Sequence, residues 1–112
     1  MELKEIEKML YSYPLHKKYI EIYNIKEEEA NLFEDVTLKE TLKDKAEINK
    51  LYCLKIDKAI EILGEEEKEI IKSKYFNRKR DYEIYLNIGI SASNYYARKR
   101  KALTLLSELL GD

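Results

Sequence analysis

This 112-residue chain holds one Pro and three Gly, Pro14, Gly64, Gly89 and Gly111, and that scarcity constrains its fold most. Loops and tight turns draw on Gly and Pro, so a chain this short of both reads as helical with short connections. Charged residues make up 38 % of it, and hydrophobic residues 45 %, ten Tyr among them. Enough apolar surface is therefore present to escape disorder and to build one thin core. The expected fold class is all-α, a helical bundle of one domain.

Apolar spacing gives the elements. Leu3, Ile6, Leu10 and Tyr13 mark a short amphipathic helix over residues 2–13. Pro14 disfavours helix at Tyr13 and fits the first turn of a second helix, which runs to about Phe33 with Leu15, Tyr19, Ile22 and Ala30 on its stripe. A break over residues 31–36 follows, with Asp35 or Thr37 as cap. The third helix covers residues 38–63, carries Leu38, Leu42, Ala46, Ile48, Tyr52, Ile56, Ala59 and Leu63 inward, with Leu51, Leu54 and Ile60 widening the stripe, and ends at Gly64. Glu65, Glu66 and Glu67 then open a helix to about Phe76, where negative charge suits the positive end of the dipole. After a basic turn, Asp81 caps a short helix over 82–87. Gly89 supplies a left-handed turn, and Ser91 caps a last helix to Leu110. Two parts result: 1–63, a helical N-terminal part with the oligomerising helices, and 64–112. One compact unit is the alternative.

Charge is unevenly spread. Residues 1–64 carry eleven Lys against fourteen acids, −3, and residues 65–112 carry ten basic against eight acidic groups, +2. All four Arg lie between Arg78 and Arg100. From Arg78 to Lys101 seven basic groups face only Asp81 and Glu83, a local +5. Such a block steers toward phosphate, although a solvated helix face carries the same composition.

A short helix, a turn with Gly and a second helix starting at Ser is helix–turn–helix spacing. The stretches "ILGEEEKEIIKSKYF", "DYEIYLNIGIS" and "RKRKALTLLSELL" carry it further. Through Leu63, Ile70, Tyr75, Glu83, Ile84, Ile88, Gly89, Ile90, Ser91, Ala102 and Leu103 they resemble the region-four DNA-binding domain of bacterial sigma factors. With "MLYSYPLHKKYIEIYN" and "IDKAIEIL" ahead of it, the chain resembles small phage and prophage late-operon activators of the RinA/ArpU type. That resemblance implies a transcription regulator that binds double-stranded promoter DNA and recruits bacterial RNA polymerase, in the cytoplasm of a bacterial host. One position departs from the pattern. Tyr85 stands where a small residue lets the two helices cross, so overpacking of about 1–3 kcal/mol is expected there.

A helical wheel of the last helix, centred on Ala102, buries Ser91, Tyr95, Leu106 and Leu109. It turns Ser93, Tyr96, Ala97, Arg100 and Thr104 outward, with Ala92, Asn94, Lys99 and Lys101 beside them. The first turns of such a helix read base edges in the major groove. Ser93 and Asn94 are thus candidate base contacts, and Ala92 or Ala97 suits a thymine methyl. Arg78, Lys79, Arg80, Lys99, Arg100 and Lys101 are phosphate candidates, and Ser91 and Tyr96 border the face. Arg98 is expected to pack its stem and leave its head in water.

Other chemistry finds little support. His16 has no Cys or carboxylate at ligand spacing and reads as a surface residue. Cys53, alone, reads as a small buried hydrophobe in a reduced protein. Glu27–Glu29 and Glu65–Glu67 are adjacent on helices and point apart. No phosphate-binding loop, zinc-protease motif or nucleophile elbow occurs, so neither an enzyme nor a cofactor is expected. No apolar run reaches membrane-span length, and MELKEIEKML lacks the apolar core of a signal peptide. The long N-terminal helices imply a homodimer. The rival reading keeps the sigma-like fold without DNA reading, as a co-regulator that binds RNA polymerase or a sigma factor.

Overall fold

The computed structural model describes residues 1–111 and is all-α. In chain order the helices are α1 (Leu3–Leu32), α2 (Val36–Glu61), α3 (Glu65–Ile71), α4 (Asp81–Ile88) and α5 (Ala92–Leu110), with a π-helical turn, Lys72–Phe76, following α3. No strand occurs among the described residues. No helix there is long and apolar enough to cross a membrane.

The expected break at Pro14 does not occur, because α1 continues through it. Proline inside a helix forfeits a backbone hydrogen bond and costs about 3 kcal/mol. Packing on both sides of Pro14 outweighs that cost. Before it, Ile6 and Leu10 are fully buried, and the Tyr11 ring meets Tyr75 edge-on at 4.8 Å. After it, His16 Nδ1 lies 2.6 Å from Asn49 Oδ1, and the His16 ring lies 4.0 Å from that of Tyr52. His16 is therefore a half-buried link to α2 rather than a surface residue.

The inward side of α1 after Pro14 is not the expected one. Leu15, Tyr19 and Ile22, expected as the buried stripe, are exposed, Leu15 by 50 %; of that set only Ala30 is buried. The connection to α2 is as expected: Asp35 Oδ1 accepts the Leu38 amide at 3.0 Å. Helix α2 buries Leu42, Ala46, Cys53, Ile56, Ala59 and Ile60, whereas Leu38, Ile48, Leu51 and Leu54, expected on the same stripe, are exposed. It stops at Glu61, before Gly64, which is extended (φ −65°, ψ 162°) and caps α3.

Two compact units result, one of residues 1–12 with 56–111 and one of residues 13–55. Residues 1–12 and 56–63, grouped with the N-terminal part from sequence, pack with the helix–turn–helix. Glu7 Oε2 accepts the hydroxyl of buried Tyr75 at 2.9 Å, and Ser107 Oγ donates to the Met1 carbonyl at 2.6 Å.

Candidate nucleic-acid interface

The turn between α4 and α5 forms where the sequence places it. Gly89 is left-handed (φ 83°, ψ 34°), and its amide donates to the Tyr85 carbonyl at 3.0 Å, as does that of Ile90 at 3.1 Å. Ser91 caps α5, its Oγ accepting the Asn94 amide at 3.1 Å. A Cβ on Gly89 would meet nothing within 4 Å. Gly89→Ala is therefore expected to cost only the left-handed backbone strain of about 1 kcal/mol, read as a lower midpoint of urea unfolding. A loss several times larger would mean that the turn is held by more than its backbone.

Ile70 of α3, Ile84 of α4 and Tyr95 of α5 form the core beneath this turn, with Tyr85, Ile88 and Ile90 packed against them. Tyr85 does not prevent closure. Half-buried, it tilts its ring toward that of Tyr95, centroids 5.7 Å apart at 52°, so its bulk spreads over the cluster's edge.

Polar ties then fix α5. The buried Tyr95 hydroxyl donates to Asp81 Oδ1 at 2.5 Å, Lys99 Nζ reaches the same oxygen at 3.3 Å, and Lys74 Nζ lies 3.4 Å from Oδ2. Burial alone would raise the Asp81 carboxyl. The Tyr95 hydrogen bond and the charges of Lys99 and Lys74 outweigh it and hold that carboxyl below the usual range. Burial and the neighbouring Asp81 push the Tyr95 hydroxyl upward. Arg98, expected to keep its head in water, instead pairs with Glu66 at 2.8 Å and Glu67 at 3.7 Å, and its Nε donates to Asn94 Oδ1 at 3.1 Å.

These ties sort the candidate residues. Ser93, Asn94, Tyr96, Ala97, Arg100 and Lys101 are exposed on α5, Ala92 is half-buried, and the Ser91 hydroxyl is occupied by its cap. Asn94 keeps both amide N–H donors and one lone pair beyond the Arg98 bond, enough for a two-point contact to adenine. Lys99 is turned inward: its side chain is 15 % exposed, its charge meets Asp81, and its ammonium lies over the Tyr95 and Tyr96 rings. Arg78 has a left-handed backbone (φ 53°) and places its guanidinium 5.0 Å from the Tyr11 ring centre. Lys79 and Arg80 are exposed, Arg80 donating to the Tyr82 hydroxyl at 3.3 Å. The best-presented cations are thus Lys79, Arg80, Arg100 and Lys101.

The buried side of α5 comprises Tyr95, Ala102, Leu103, Leu106 and Leu110. Leu109, expected inside, is 41 % exposed. Met1 lies against this end of α5, its carbonyl accepting the Ser107 hydroxyl. Sequence reading missed Asp81 as the hub of α4 and α5, and Lys74 as its second cation. The available signal was Tyr95 itself: a buried Tyr requires a partner for its hydroxyl.

No group of His, Cys, Asp and Glu suited to a metal ion occurs among the described residues. No family model matches the chain, and neither a curated protein nor a solved structure does.

Proposed function

We propose that this chain is a phage-type transcription regulator that binds double-stranded promoter DNA through α5. In this reading it works in a bacterial cytoplasm as a homodimer and recruits RNA polymerase to late genes. One observation carries it. The left-handed Gly89 and the Ser91 cap start α5 with Ser93, Asn94, Ala97 and Arg100 exposed together, while Tyr95 is locked inward on Asp81. Small polar and methyl-bearing side chains in the first turns, with Arg one turn later, suit a helix laid in a major groove.

Selecting a bound site from a pool of randomised duplexes tests this. Wild type is expected to enrich one sequence. Ser93→Ala with Arg100→Ala is expected to lose about 1–3 kcal/mol per lost base contact and to relax discrimination at those positions. A pool without enrichment, or enrichment indifferent to both changes, contradicts the reading.

A second reading has its own support. Arg98 and Lys99 are committed to acids, Arg78 lies on Tyr11 and Arg80 donates to Tyr82, so four of the seven clustered cations make contacts within the protein. A sigma-like module that binds RNA polymerase or a sigma factor without reading DNA fits that economy. Polymerase retained by the tagged chain on nuclease-treated beads, with no duplex binding, selects it.

A further inference from the structure

The unit of residues 13–55 buries very little for its length. Its buried residues are Ala30, Leu42, Ala46 and Cys53, while Leu15, Tyr19, Ile22, Phe33, Leu38 and Ile48 stay exposed. Spacings of four and three put Leu15, Tyr19 and Ile22 on one stripe of α1, and Phe33 follows in the turn after it. Two helices joined over so few large side chains are short of the packing that stabilises helical hairpins, and added helices supply it in four-helix bundles.

A groove of about 700 Å³ lies between the end of α1 and the start of α2, lined by Lys26, Glu29, Phe33, Asp35, Leu38 and Lys45. Two features of it choose among occupants. Its rim carries two cations and two anions, so it has no net sign to favour a polyanion or a strongly acidic or basic peptide. Its wall carries Phe33, 84 % exposed, so the same surface offers a protruding ring and a cavity that holds one. A surface complementary to itself is what a two-fold interface requires, each copy giving and receiving the same contacts.

We infer that a second copy of this chain docks on this groove, Phe33 of each copy entering the groove of the other, so that α1 and α2 of two copies form a four-helix interface. This names the surface behind the homodimer in the reading above. It is tested without DNA, so the two fail separately.

Light scattering and native mass spectrometry on the full chain at micromolar concentration decide it. Wild type is expected to have twice the mass of one chain. Phe33→Glu is expected to weaken association by about tenfold or more while helix content by circular dichroism stays unchanged. Lys26→Glu and Glu29→Lys are each expected to weaken self-association, and an equimolar mixture of the two to associate as a mixed dimer, as opposite charges across a two-fold interface dictate. Wild type that stays monomeric at its highest soluble concentration overturns the inference, whatever other protein it captures. So does a Phe33→Glu chain that dimerises as tightly as wild type. A dimer that binds no DNA leaves this inference standing and removes the earlier one.

Discussion

Ile70→Ala is expected to lower the unfolding free energy of the helix–turn–helix unit by about 2–4 kcal/mol. Ile70 is fully buried and shares its cluster with Ile84 and Tyr95, so α3, α4 and α5 meet at its side chain. Truncating a buried Ile removes its transfer free energy and leaves a cavity, together about 2–5 kcal/mol. The better helix propensity of Ala returns a few tenths of that. Urea unfolding followed by tyrosine fluorescence reads it as a lower midpoint at unchanged slope. A change below about 1 kcal/mol would mean that the three helices are not held together at Ile70.

Alkali is expected to unfold the same unit. Tyr75 and Tyr95 are both fully buried. For Tyr75 burial comes first and the Glu7 hydrogen bond second; for Tyr95, burial and then Asp81. In both cases the hydroxyl is pushed well above its ordinary value. A group whose pKa is raised by folding stabilises fully below its unfolded value, near 10 for Tyr. That stability is lost as pH climbs from there toward the folded value. Each ring then costs about 1.4 kcal/mol per pH unit, and the two together about 2.7. Asp81 acts with the opposite sign. Its carboxyl is lowered by folding, so its contribution is present above the ordinary carboxylate range and fades as pH falls through the folded value. Urea midpoints measured at steps above pH 10 check the alkaline arm, and Tyr75→Phe with Tyr95→Phe should flatten it. A wild type equally stable at about pH 10 and pH 12 would contradict the burial of these hydroxyls.

What the sequence made legible was local chemistry. Gly89 needs only its own backbone freedom and Ser91 only the amide of Asn94, and both stand where their residue types place them. The Asp35 cap and the four-helix order after residue 36 follow from equally short-range signals. Pro14 shows the limit: its local preference is to end a helix, and contacts to Tyr75 on one side and to Asn49 and Tyr52 on the other overrule it. The candidate site divides the same way. The wheel placed Tyr95 inside and Ser93, Ala97 and Arg100 outside, since these depend on one helix's periodicity. It gave no sign that Asp81, eighteen residues from Lys99, takes up that charge, or that Glu66, thirty-two from Arg98, takes up the other. Those pairings arise only once α3, α4 and α5 are packed.

Reading of duplex DNA by α5 is tested most directly by fluorescence anisotropy on a labelled mixed-sequence duplex over a salt series. With Lys79, Arg80, Arg100 and Lys101 engaged, log affinity should fall against log salt with a slope of about −3 to −4, and Arg100→Ala with Lys101→Ala should reduce its magnitude by about 2. A chain that binds no duplex at low salt, or whose slope is untouched by losing both cations, would contradict it.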